Sequence, residues 1–129
     1  GLRRHELLAL RCRDILVHDG QLVAYVKSGK GGLERNAPVL AGREADVLAM
    51  KEGRDPEELV FPSIPKHFDE HSYRREYAQA LYLQYAPGRS LPSATGRLKR
   101  SDYDREAAAR VSKALGHRRV DVATRHYLR

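Results

Sequence analysis

Residues 15–26 constrain the fold more than any other stretch. Ile15-Leu16-Val17 and Leu22-Val23-Ala24-Tyr25-Val26 are two short strand-forming runs, and the turn pair Asp19-Gly20 lies between them. Asp-Gly adopts the positive φ angles that a tight two-residue hairpin demands, so the segment predicts an antiparallel pair. Ser28-Gly29-Lys30-Gly31-Gly32 reads as a second turn and Glu34 to Leu40 as a third strand, which makes a three-stranded antiparallel sheet the economical arrangement. Ahead of it, Leu2, Glu6, Leu7, Leu8 and Leu10 recur at helical spacing up to about Arg11.

Helical patterns take over after the sheet. Arg43 to Glu52 reads as a short helix closed by Gly53 and the Asp55-Pro56 turn, followed by the brief apolar run Leu59-Val60-Phe61. A longer helix is expected over His67 to Tyr85, with Phe68, Tyr73, Tyr77, Leu81 and Tyr82 as its core face. Pro87 to Arg100 carries Gly, Pro, Ser and Arg without periodicity and reads as a loop. Asp104 starts another helix, with Ala108, Val111, Ala114 and Leu115 apolar and Gly116 as the glycine just past its end. Asp121 is placed to cap a last helix carrying Tyr127. The expected fold class is α+β, mostly helical with a small three-stranded antiparallel sheet, in one domain spanning residues 1–129.

Charge narrows the partners. Lys and Arg number 24 against 17 Asp and Glu, a net charge of +7, and the acidic residues are interspersed throughout. A folded basic domain of this kind attracts polyanions, nucleic acid first, although a solvated basic surface accounts for the charge equally well. The single cysteine, Cys12, excludes an internal disulfide framework, fits a reducing cytoplasm and reads as a small core residue. No cysteine or histidine cluster has zinc-ligand spacing, and no P-loop or dinucleotide fingerprint is present, so no metal or cofactor is expected. No apolar run has the length of a membrane span. The helical pattern already under way at Gly1-Leu2-Arg3, and the stop two residues after Tyr127, lead to the expectation of a domain excised from a longer protein.

Four segments carry more specific information: Gly1-Leu2-Arg3-Arg4-His5-Glu6-Leu7; Gly29-Lys30-Gly31 with Glu34-Arg35 and Pro38; His71-Ser72-Tyr73-Arg74; and Leu115-Gly116-His117 followed by Tyr127. Each alone is common. Together, in this order, they resemble the catalytic signatures of the tyrosine recombinase (phage integrase) family: the G-L-R-x-x-E-L helix, the β-turn lysine, the H-x-x-R box, and the L-G-H box with its nucleophile.

The chemistry that the resemblance implies suits these residue types. Cutting DNA without a metal needs a nucleophile, a proton acceptor, a proton donor and positive charge on the phosphate. Tyr127 is implied as the nucleophile; with an ordinary pKa of ~10, tyrosine needs help to lose its proton. Arg3 and Arg74 are the guanidiniums for the non-bridging oxygens, since each gives planar, charge-assisted bonds and never loses its proton. His71 is the base or base partner, Lys30 on its glycine turn protonates the leaving 5′ oxygen, and His117 donates to the phosphate. Glu6, three residues after Arg3, orients Arg3 or a neighbouring base. The covalent 3′-phosphotyrosine stores the energy of the broken diester, so resealing requires no ATP.

Blander readings stand beside these. Arg3 alone is an ordinary exposed helix arginine, Lys30 a turn lysine, His71 and Arg74 the polar side of a long helix, and His117 a helix-end histidine. Among the seven tyrosines, Tyr25, Tyr73, Tyr77, Tyr82 and Tyr85 lie on core-like faces, and Tyr103, in a polar segment, competes with Tyr127. Arg75 stands where the family often has histidine. The stretch from Pro38 to His71 is short for the family and that from Arg74 to His117 long. Arg89, Arg97, Lys99 and Arg100 make the intervening loop a candidate contact to the DNA backbone.

The resemblance implies site-specific recombination on double-stranded DNA, integrating or excising a mobile element, by four protomers on two duplexes, and a cytoplasmic, DNA-associated protein that is bacterial or phage-encoded. It also implies arm-binding and core-binding domains, which this chain lacks, so that the domain alone is a monomer with weak, salt-dependent affinity. A type IB topoisomerase uses the same residue cast on one duplex, and a non-catalytic DNA-binding module retains the same groups as phosphate contacts.

Overall fold

A computed structural model describes residues 1–93 and 95–129, which fold as two compact units, Leu2–Glu70 and His71–Arg129, the second also taking in Gly1. The class is α+β: five α-helices and one small antiparallel sheet among the described residues. No helix of these residues is long and apolar enough to cross a membrane.

In the first unit, helix α1 (Arg4–Ala9) leads into strands β1 (Ile15–His18), β2 (Gln21–Val26) and β3 (Arg35–Pro38), then helix α2 (Glu44–Ala49). The sheet order is β1-β2-β3, with Ile15 opposite Ala24 and Val26 opposite Arg35. The predicted hairpin turn forms at Asp19 and Gly20, both at positive φ (50° and 76°). The core gathers Leu2, Leu10, Cys12, Ile15, Leu22, Val26, Ala37 and Val60. Each fully buried aliphatic side chain of this kind contributes about 1.5–3 kcal/mol relative to leaving it in water.

Helix α1 is shorter than its apolar pattern predicts. The chain opens in extended backbone, with Arg3 at the position before the helix, and ends the helix at Leu10, φ −69° and ψ 123°. Residues 10–12 are taken up by the Leu59-Val60 segment instead: Val60 N donates to the Leu10 carbonyl at 2.9 Å and Cys12 N to the Glu58 carbonyl at 2.9 Å. A helix continued to Arg11 would forfeit these bonds. The third strand occupies only four of the seven predicted residues, and α2 ends at Ala49, before Glu52. There Arg54 gathers the chain, donating to the Met50 and Leu59 carbonyls at 2.9 and 2.6 Å.

The second unit holds most of helix α3 (Glu70–Tyr85), with α4 (Arg105–Leu115) and α5 (Val120–His126). Helix α4 forms as read. Asp104 Oδ1 accepts from Ala107 N at 2.9 Å, Ala108, Val111, Ala114 and Leu115 are buried, and Gly116 closes it in the left-handed region. Buried Ser112 donates its hydroxyl to the Arg119 carbonyl at 3.0 Å, tying down the turn into α5.

Four expectations fail here. Helix α3 begins at Glu70, three residues later than His67, because Phe68 N and Glu70 N make turn bonds to Pro65 and Phe68. Its buried face is Arg74, Ala78, Leu81 and Tyr82, whereas Tyr73 is 57% exposed. Asp121 does not cap α5: it lies inside the first turn and chelates the guanidinium of Arg119, the residue before the helix, at 3.0 and 2.9 Å. Tyr127 follows α5 and is not part of it. The described residues of the predicted 87–100 loop form no helix or strand before the short turn that begins at Arg100, and Ala94 lies outside the described residues.

Candidate active site

The candidate residues are divided between the two units, and some of them cluster within each. In the first unit, Glu6 is the hub. Its carboxylate is fully buried and receives three donors: Arg35 Nη1 at 2.6 Å, Arg35 Nη2 at 2.9 Å and the Arg3 backbone N–H at 2.7 Å. The Arg3 guanidinium adds a longer ion pair at 3.5 Å, with its side chain 15% exposed. The predicted pairing of Glu6 with Arg3 is therefore present, but Arg35 is the dominant partner through a two-pronged fork.

Burial by itself raises the Glu6 pKa. The Arg35 hydrogen bonds, the Arg3 N–H and the charges of both guanidiniums outweigh it and hold the carboxyl at about 2, against an ordinary 4.5. A depressed folded-state pKa gives stability that is fully present above the unfolded value and is lost as pH falls through the folded one. Unfolding in urea at pH 7 and pH 3 checks this. The stability gap between the parent chain and Glu6→Gln is expected to shrink on acidification, by on the order of 2 kcal/mol. A constant gap removes Glu6 from the acid response.

Lys30 is exposed in the turn between β2 and β3. Gly31 and Gly32 adopt positive φ, but Gly29 does not (φ −78°). Gly29 is required by close approach. A Cβ there would sit 2.8 Å from the Leu33 carbonyl and 3.1 Å from both Arg35 Nη1 and Glu6 Oε2.

Arg35 is the residue that sequence reasoning left without a role. The strand period marks it: Arg35 and Ala37 share one face of β3, Ala37 is 3% exposed, and so an arginine is directed inward where only a paired charge is tolerated.

In the second unit, Arg74, His117 and Tyr127 come together. Arg74 is only 2% exposed. It donates to the Gly1 carbonyl at 2.8 Å and to the Leu115 carbonyl at 3.0 Å, and its Nη2 lies 3.5 Å from His117 Nε2. The Arg74 guanidinium carbon stands 5.5 Å from the Tyr127 ring centre, and the His117 and Tyr127 rings are 5.4 Å apart. A guanidinium over an aromatic ring is attracted by the negative ring face, which helps hold the half-buried Tyr127 ring in place. His71 lies one turn before Arg74 on α3 and is exposed.

Tyr103, the competing tyrosine, is engaged structurally. It is 7% exposed, packs edge-on against Tyr82 at 6.0 Å and donates its hydroxyl to the Thr124 carbonyl at 3.0 Å. Burial pushes its pKa up, the wrong direction for a nucleophile. Arg89, Arg97, Lys99 and Arg100 are all exposed. Lys99 and Arg100 line a cleft of about 710 Å³ beside α4 and α5, together with Arg105 and Arg125. No protein-family model, curated protein or solved structure matches the chain.

Proposed function

We propose that the chain is a tyrosine recombinase catalytic domain, cutting and rejoining double-stranded DNA through a 3′-phosphotyrosine. The observation that supports this best is the Arg74, His117 and Tyr127 cluster: a phenol beside a guanidinium and an imidazole, from two of the four motif-bearing segments.

In the proposed reaction Tyr127 Oη attacks the phosphorus and the bond to the 5′ oxygen breaks. His71 takes the phenolic proton, and Lys30 gives a proton to the departing oxygen, leaving a 5′ hydroxyl. Arg3, Arg74 and His117 stabilise the charge that builds on the non-bridging oxygens, a contribution worth about 10²–10³ in rate for one well-placed donor. Attack by a new 5′ hydroxyl reverses each step and reseals the strand. Site-specific exchange by four protomers of a bacterial or phage-encoded cytoplasmic protein on two duplexes extends the same proposal, with the 87–100 loop on the DNA backbone.

The deep burial of Arg74 favours a second reading, a non-catalytic DNA-binding module in which this arginine serves the fold. A nicked suicide duplex carrying the cognate site, in EDTA, separates the two. The proposal expects a covalent protein–DNA adduct that Tyr127→Phe abolishes. Persistence of the adduct in that variant excludes Tyr127 as nucleophile, and DNA retention with no adduct from the parent protein leaves the second reading. Relaxation of a supercoiled plasmid without joining of two sites marks the topoisomerase alternative.

A further inference from the structure

Between the last residue of β2 and the first of β3, paired as Val26 and Arg35, the chain makes an exposed loop over residues 27–34. Only Gly29 within it is buried. The loop is closed internally by Gly29 N donating to the Leu33 carbonyl and Gly32 N to the Gly29 carbonyl, both at 2.9 Å. Those bonds give the loop a shape but do not seat it on anything. Its one buried point faces the Glu6–Arg35 ion pair: a Cβ at Gly29 would stand 3.1 Å from both Arg35 Nη1 and Glu6 Oε2, a tight fit, and 2.8 Å from the loop's own Leu33 carbonyl. The pair is itself rigid: both side chains are nearly inaccessible, and two parallel bonds fix the guanidinium plane.

We infer that Arg35, held by Glu6 and packed on the Cα of Gly29, is a positioning residue that sets where the Lys30 turn sits. This rests on the reading of Lys30 as the proton donor to the leaving 5′ oxygen. Arg35 itself is 6% exposed and touches no substrate. It acts through the backbone, by giving the glycine next to Lys30 a flat, charged surface to rest on. Lysine in its place keeps the charge but not the fork, and a single-point contact leaves the surface free to rotate.

The test uses two suicide duplexes, one with the natural 5′ oxygen and one with a 5′ thiolate, a leaving group that needs no proton. For folded Arg35→Lys, single-turnover adduct formation is expected to slow about tenfold or more with the oxygen and by less than about threefold with the thiolate. Gly29→Ala is expected to give the same split. Equal slowing on both substrates overturns the inference, because general damage to the fold does not distinguish leaving groups.

A second measurement stands apart from catalysis. In Arg35→Met, tryptic cleavage after Lys30 is expected to accelerate about tenfold relative to the parent chain, as the turn leaves its seat. Unchanged cleavage there overturns the inference. A parent protein that forms no adduct with either duplex sinks the strand-transfer reading, and the tryptic rates still decide whether Arg35 holds the turn.

Discussion

An Arg74→Lys variant that remains folded is expected to form the covalent DNA adduct at least ~100-fold more slowly than the parent protein. Lysine preserves the positive charge near Tyr127 but presents one nitrogen. The guanidinium spans the Gly1 and Leu115 carbonyls while keeping an edge 3.5 Å from His117 and its centre over the Tyr127 ring. A single ammonium cannot hold both carbonyls and still offer donors to a phosphate. The variant also loses stability, since at least one buried carbonyl is left without its donor at a cost of about 1–3 kcal/mol. The two effects separate experimentally when adduct rates are normalised to the folded fraction from a urea titration. A normalised rate equal to the parent's assigns Arg74 to the fold alone and supports the non-catalytic reading.

That ambiguity reflects what the residues disclose by themselves. The hairpin was legible because Asp19 and Gly20 encode their backbone angles locally, and α4 because Asp104 and Gly116 carry its two ends. The face of α3 was not. Counting apolar residues puts Tyr73 inward and Arg74 outward, but the buried position goes to the arginine, whose donors are satisfied by carbonyls far along the chain. No local pattern announces where those carbonyls will be. Tyr103 misleads for the same reason: its polar neighbours suggest solvent, yet Tyr82 and the Thr124 carbonyl enclose it. The end of α1 depends on a segment almost fifty residues away, at Leu59 and Val60.

The candidate site divides along the same line. Residue types and order were readable, and Arg74, His117 and Tyr127 do gather. The partner of Glu6 was not readable from helix spacing, which points to Arg3 at three residues' distance. The stronger bond comes from β3, and only the register Val26 opposite Arg35 brings it there. Helix spacing is sequence-local, whereas strand register depends on the folded sheet.

Glu6→Ala is accordingly expected to be the most destabilising single substitution in the first unit, by about 3–5 kcal/mol. The attraction of the pair is only part of that figure. The larger part is the burial of Arg35 with no carboxylate to receive it, together with the loss of the acceptor for the Arg3 N–H. Against a total stability of about 5–15 kcal/mol for a domain, such a loss is visible as a large drop in the urea midpoint. The double variant Glu6→Leu with Arg35→Met removes both charges together and replaces them with apolar groups, which is often neutral for buried pairs, so it is expected to recover most of the midpoint. If stability were all the pair supplied, adduct formation would recover with it. The positioning role requires the opposite: a stable double variant whose cleavage of the natural 5′ oxygen stays slow while the 5′ thiolate substrate reacts at close to the parent rate. Recovery of both rates would mean that a well-packed apolar surface seats Gly29 as well as the ion pair does, and that the charge is retained for some reason other than holding Lys30.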